Sequence, residues 1–253
     1  MMQLPNMSGV IERRLLVNYR VDPDVVGRLL PRPFRPQLVD GIGVAGICLI
    51  RLGKLRPTGV PAVFGVTTEN AAHRIAVELD GPDGTRHGVY IPRRDTSSRL
   101  TAIAGGRLFP GEHHRAQFVV HEDGGRYDVA FTSIDETVHV AVVATAGSEL
   151  PTHSIFGSMA KASAFFHDGS LGYSATGAAG RQDGIELSCG QWQMEPVVAD
   201  QVVSSFFEDR VLFPAGTAEL DSALLMRDIP ATWKARSQLT SSEAPEATPA
   251  QCA

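Results

Sequence analysis

From Val10 to Arg20 apolar and polar residues alternate, the period of a strand with one buried face. The pattern then changes. Asp22-Pro23 reads as a helix start, with Asp as cap and Pro in the first turn, and Val25, Val26, Leu29 and Leu30 form the apolar face of a short helix that Pro31-Arg32-Pro33 ends. Phe34–Leu38 reads as extended, Asp40-Gly41 as a turn, and Ile42–Leu52 as a buried strand with glycine irregularities. Arg74–Leu79 alternates, Gly81-Pro-Asp-Gly84 turns, and Arg86–Ile91 returns, a hairpin. Between these hairpins and the next lies Arg99–Phe118. There Leu100, Ile103, Ala104 and Leu108 keep helical spacing, Gly105, Gly106 and Pro110-Gly111 break it, and Glu112-His113-His114-Arg115 leads into an alternating run. Such a helix-to-turn-to-strand passage presents side chains to a cavity.

Ala116–His121 and Arg126–Ser133, joined by Glu122-Asp-Gly-Gly125, form a second hairpin, and Thr137–Ala144 adds a strand, so a meander is expected. Ser154–His167 reads as a helix, Gly172–Gly184 as a loop or hairpin, Ile185–Gln193 as a strand, and Asp200–Phe207 as a short helix or turn. Leu220–Met226 is a mixed apolar segment and Trp233 the last large anchor. Strands dominate and a few short helices interrupt them. The expectation is an α+β fold built on a large antiparallel sheet or closed barrel, able to hold a small ligand. Residues 1–9 read as an N-terminal extension, 10–236 as one domain, and 237–253 as a disordered polar tail.

Composition narrows the function classes. The chain has 253 residues and a net charge of −5 with no basic tract, which argues against nucleic acid as partner. No apolar run approaches the roughly 20 residues of a membrane span, and the N-terminus lacks a signal core, so a cytoplasmic protein is expected, with no membrane partner. Cys48, Cys189 and Cys252 are far apart, and neither a Cys/His metal spacing nor a cofactor motif occurs, so no metal and no cofactor is expected. A homo-oligomer is compatible with this reading. There are 20 arginines but only three lysines, Lys54, Lys161 and Lys234, which limits amine chemistry.

Two segments, Leu15–Pro31 (LLVNYRVDPDVVGRLLP) and Ser204–Trp233 (SSFFEDRVLFPAGTAELDSALLMRDIPATW), resemble an uncharacterised bacterial domain-of-unknown-function family grouped with the acetoacetate decarboxylase-like fold. The resemblance extends over about Val10–Trp233. The link to the decarboxylases rests on the strand–Tyr-Arg-x-Asp–helix–Pro opening, a glutamate after a mid-chain strand, and the Ala-x-Gly-Arg run before the central turn. It implies a largely antiparallel β-barrel or curved sheet with a few short helices. Those enzymes use a Schiff-base lysine whose pKa a second lysine lowers. With Gly106-Arg107 laid on the family's Gly-Arg, the paired lysines fall on His114 and Arg115 here. Arginine stays protonated and imidazole makes no iminium electron sink, so the resemblance carries the fold and pocket without the paired amine.

The same resemblance places Arg20 on the family's pocket arginine, where a guanidinium could hold a carboxylate by two hydrogen bonds; the alternative is a salt bridge to Asp22, Asp24 or another acid. Glu69 resembles the pocket glutamate, suited to proton transfer in a dry cavity; the alternative is a surface carboxylate. His113 and His114 point to opposite faces if they lie on a strand, and the alignment favours His114 as general acid or base, with a structural wall histidine as the alternative. Arg115 then faces away from His114 or towards Glu112, and is a candidate ligand contact. The expectation is therefore a pocket for an oxo acid or related carboxylate, with Arg20 and Arg115 binding it and His114 and Glu69 doing acid–base chemistry of a lyase or isomerase type. A non-catalytic sensor or interaction domain is the alternative, and true decarboxylation the third reading. An enzyme should bring Arg20, Glu69 and His114 into one cavity, whereas a sensor should show them salt-bridged and an exposed apolar patch instead.

Overall fold

A computed structural model describes residues 5–81, 84–104, 110–178 and 180–240. The strands are β1 (Met7–Val21), β2 (Arg35–Pro36), β3 (Leu38–Val39), β4 (Ile42–Pro57), β5 (Val66–Gly81), β6 (Gly84–Thr96), β7 (His113–Asp123), β8 (Arg126–Ser133), β9 (His139–Ala146), β10 (Leu171–Ala175), β11 (Arg181–Cys189), β12 (Glu195–Ser204) and β13 (Ala218–Thr240). The helices are α1 (Pro23–Leu29), α2 (Arg99–Ala104), α3 (Met159–Asp168) and α4 (Ser205–Glu208).

Local chemistry explains the early elements. Asp22 caps α1, its Oδ1 accepting from the Asp24 and Val25 amides at 2.8 and 3.3 Å, and Val25 and Val26 are buried. Asp40 and Gly41 both take positive φ, 50° and 83°, and close the two-residue hairpin between β3 and β4. The β5–β6 hairpin and the β7–β8–β9 meander form as their patterns predict. Gly172–Gly184 resolves into the β10–β11 hairpin.

The expected α+β class holds: among the described residues one mostly antiparallel sheet carries four short α-helices and a single 3-10 turn at Ala62–Phe64. Two pairings, β10 with β6 and β6 with β7, are parallel. The ladder closes on itself twice. One circuit runs β13-β1-β4-β5-β6-β7-β8-β9-β12 and returns to β13; the other runs β13-β1-β4-β5-β6-β10-β11 and returns to β13. The shared wall is β13, β1, β4, β5 and β6, so its side chains alternate between two interiors rather than between core and water. The first interior holds the larger apolar cluster, including Leu15, Val17, Ile47, Val129, Val142 and Phe213. The second is walled by Leu16, Cys48, Ala72, Ile91 and Leu224, with Phe156, Ala162 and Phe166 of the α3 region packed on them.

Several boundaries differ from the sequence reading; the strand read as Ile185–Gln193 spans Arg181–Cys189, and the helix read from Ser154 begins at Met159. β1 begins at Met7, inside the segment read as an extension, because Met7 pairs with Trp233 and Pro57 and is buried. β13 continues to Thr240, with Leu239 and Thr240 paired to Gln182 and Arg181 of β11, so residues 237–240 belong to a strand rather than to a polar tail; residues 241–253 lie outside the described residues. Asp200–Ser204 belongs to β12, and only Ser205–Glu208 is helical.

Candidate functional site

A cavity of about 130 Å³ lies inside the second circuit. Arg14 of β1, Cys48 and Ile50 of β4, Asn70, Ala72 and Arg74 of β5, and Arg94 of β6 face it from the shared wall. His113, at the start of β7, and Thr101 of α2 close one side, and Gly172, Ile185 and Leu187 of the β10–β11 hairpin close the other, with Trp233 of β13. The register explains the grouping. Cys48 pairs with Ala72, Ala72 with Arg94, and Arg94 with His113, so all four side chains share one face.

The cavity is apolar in most of its lining but contains three guanidiniums. Arg74 is buried. Its Nη2 donates to Asn18 Oδ1, its charge lies 4.7 Å from the Phe166 ring, and its Nε has no partner among the described residues. Gly46 makes this path possible: a Cβ there would sit 2.4 Å from the Val17 carbonyl and 3.4 Å from Arg74 Nη2. Arg94 makes one side-chain hydrogen bond among the described residues, from Nε to Ser174 Oγ at 2.7 Å. Burial pushes both guanidiniums down to about 10, so both stay charged at neutral pH, and no carboxylate among the described residues offsets either. Arg14 stacks over the Trp192 ring at 5.4 Å, with Nη1 3.5 Å from Met226 Sδ. Asp95 is the one acidic side chain in the wall among the described residues, and Arg93 already holds its carboxylate at 3.0 Å.

His113 is buried. Its Nδ1 lies 3.1 Å from the Gly111 carbonyl oxygen. A carbonyl only accepts, so Nδ1 carries the proton and Nε2 the lone pair. Burial, and then the Arg94 charge, push this imidazole down to about 3. The turn that places it is tight: Gly111 has φ 89°, a Cβ there would meet Ser174 Cβ at 2.4 Å, and its amide donates to Asp183 Oδ2 at 3.0 Å.

The four side chains selected from sequence do not line this cavity. Arg20 is at the far end of β1, bound to Glu219 through Nη2 at 2.5 Å and Nε at 3.1 Å, the salt-bridge alternative with an acid 199 residues away. Glu69 faces the first circuit, where Arg13 Nη2 and Arg51 Nε each donate to it at 2.5 Å; Glu122 joins the same network, 2.6 Å from Arg13 and 3.2 Å from Arg51. His114 points away from the cavity, partly exposed, 3.7 Å from Asp135 and 4.0 Å from Glu112. Arg115 donates to the backbone carbonyls of Ser97 and Ala116. The histidine that reaches the cavity is thus His113, because its parallel pairing with Arg94 sets which face it takes. Gly106-Arg107 lies outside the described residues. Arg14, Arg74 and Arg94 were not singled out from sequence; the signal for them is an arginine inside a strand whose neighbours are apolar, as in Ala71-Ala72-His73-Arg74-Ile75. All three lysines stand outside the cavity lining.

No helix among the described residues is long and apolar enough to cross a membrane, and no cluster of three or more metal-binding side chains occurs among them. A family model, DUF2071, described as an uncharacterized conserved protein, matches residues 10–215. No curated protein matches the chain. Among solved structures the fold is similar to an acetoacetate decarboxylase-like enzyme from Sphingomonas wittichii RW1, at 12% identity over 95% of this chain and 94% of that one, TM-score 0.57. It is similar to the enduracididine biosynthesis enzyme MppR complexed with pyruvate, at 15% identity over 96% and 92%, TM-score 0.57. It is also similar to acetoacetate decarboxylase from Legionella pneumophila subsp. pneumophila str. Philadelphia 1, at 10% identity over 93% and 88%, TM-score 0.58. At such identities the likeness establishes the fold, and it is the acetoacetate decarboxylase-like fold that the sequence resemblance implied.

Proposed function

The chain belongs to the DUF2071 family, and from its cavity we propose that it binds a compact oxo acid and carries out acid–base chemistry on it. One observation carries this reading: Arg74 and Arg94 bring two positive charges, with no carboxylate partner among the described residues, into a mostly apolar cavity. Burying a charge without a partner is costly, and a ligand carboxylate is the partner that relieves the cost. The size agrees. A cavity of about 150 Å³ accepts benzene, so about 130 Å³ suits a ligand on the scale of pyruvate, the molecule named with the structurally similar MppR.

His113 is the acid–base group in this proposal. Its tautomer leaves Nε2 as the basic nitrogen, and it shares the face of Arg94. A carboxylate bound at Arg94 offsets the second of the two causes that depress the imidazole, the Arg94 charge, and so shifts it upwards, while burial, the larger cause, remains. The oxo group acidifies the neighbouring C–H, so proton removal and return at that carbon is the chemistry this set supports. No lysine lines the cavity, which disfavours an imine route.

The test is calorimetric titration with pyruvate and 2-oxobutyrate, followed by deuterium exchange at the carbon next to the carbonyl. Binding should be lost in Arg74→Met and kept in Arg20→Ala; exchange should be lost in His113→Phe with binding retained. Failure of both acids to bind would sink the proposal. A second reading, a non-catalytic binding module, is favoured by the salt-bridged Arg20 and Glu69 and by exposed Val63, Phe64, Leu100 and Ile103. Binding without exchange in the wild type would select it.

A further inference from the structure

The third guanidinium, that of Arg14, is not needed to hold a single carboxylate. It sits on β1, while Arg74 and Arg94 sit on β5 and β6. Its row of the sheet runs Arg14, Ile50, Asn70, and Arg74 lies four residues further along β5. Two strand spacings across and four residues along put the two backbones about 16 Å apart, on one face of the wall. Both side chains line the same cavity, and the Arg14 charge disfavours that of Arg74.

Arg14 is positioned as a binding group. Trp192 supports one face of its guanidinium, and among the described residues no carboxylate meets its edge. The acid in the wall, Asp95, is engaged by Arg93. Three cations therefore face one compact space. A monoanion at Arg74 and Arg94 leaves Arg14 uncompensated, while a ligand anionic at both ends answers each pole and removes the repulsion between them.

We infer, resting on the carboxylate reading above, that the preferred ligand is a compact dicarboxylate whose second carboxylate is held by Arg14. The oxo group then lies between the two anionic ends, beside the Cys48–Ala72–Arg94–His113 row. Apolar lining between the poles (Ile50, Ala72) spaces the carboxylates without offering competing donors.

The experiment compares oxaloacetate and malonate with pyruvate and 2-oxobutyrate by calorimetric titration at fixed ionic strength, on wild type, Arg14→Met and Arg14→Lys, each checked for folding by circular dichroism. The wild type should bind the diacids about tenfold or more tightly than the monoacids, the scale of one charge-assisted hydrogen bond in a buried site. Arg14→Met should lose that preference, its diacid affinity falling to the level of its own monoacid affinity, and Arg14→Lys should keep part of it. If pyruvate binds as well as oxaloacetate, or if Arg14→Met retains the preference, the dicarboxylate inference is overturned and the carboxylate site stands. If none of the four acids binds, both readings fall together.

Discussion

Replacing Arg94 with methionine should make the ligand-free protein more stable. The guanidinium falls from 12.5 to about 10 on folding because burial disfavours its charged form. A base held below its unfolded value contributes a penalty that is full at pH well below the folded value, hence at neutral pH, and that disappears only above the unfolded value. The fall corresponds to about 3 kcal/mol. Arg94 keeps partial access to the cavity, and water there screens part of the effect, so about 2 kcal/mol is the larger side of the balance. Methionine keeps the packing of the stem, while the lost hydrogen bond to Ser174 Oγ costs about 1 kcal/mol. The net expectation is a gain of about 1 kcal/mol, read by urea denaturation at pH 7.5. Ligand reverses the order: at 100 times its dissociation constant it should add about 2.7 kcal/mol to the wild type and nothing to the variant. A ligand-free Arg94→Met that loses about 3 kcal/mol or more, the cost of breaking a paired buried charge, would mean that the guanidinium has a counter-charge within the protein. The cavity would then not be an anion site.

Other expectations follow from the same structure. His73 is fully buried against Phe206, neither ring nitrogen has a partner among the described residues, and burial with the nearby Arg93 pushes it down to about 3. Its neutral form is therefore favoured, stability is retained above about pH 6.5 and lost below it, and between pH 8 and 5 this residue should cost about 2 kcal/mol. His73→Leu should flatten the urea-derived stability curve by that amount, and an unchanged slope would contradict the assignment. Glu69→Gln leaves Arg13 with Glu122 alone and should destabilise by about 3 kcal/mol in the same assay, with ligand affinity preserved. Gly46→Ala places a Cβ against the Val17 carbonyl and Arg74, and should lower both the thermal midpoint and pyruvate affinity.

Much of the fold was legible because turns and hairpins are encoded locally. Asp22-Pro23, Asp40-Gly41, Gly81–Gly84 and Gly124-Gly125 each stand where the chain turns or a helix starts. The site was not legible, and the reason is parity. The shared strands are buried on both faces, so hydrophobic alternation does not say which neighbour faces which interior. The chain carries adjacent pairs at this wall: Arg13 and Arg14, Glu69 and Asn70, His73 and Arg74, Arg93 and Arg94, His113 and His114. In each pair one member lines the cavity and the other turns away. The sequence reading took Glu69 and His114, one residue from the lining side chains in both cases. Arg20, read as a carboxylate clamp with a salt bridge as the alternative, takes the alternative for a different reason. Its partner Glu219 comes from β13, a pairing set only when the two ends of the chain meet.

The wall common to both circuits also constrains how the protein can move. A strand that belongs to two closed ladders cannot slide without breaking hydrogen bonds in both. β1, β4 and β5 therefore act as a rigid plate, and their amides should be the last to exchange with deuterium. Breathing that admits a ligand must come from the parts that belong to one circuit alone, the β10–β11 hairpin and the helices α2 and α3 beside it. The charges sit mainly on the plate and the doorway on the hairpin, so affinity and entry rate should respond to substitutions in different segments of the chain.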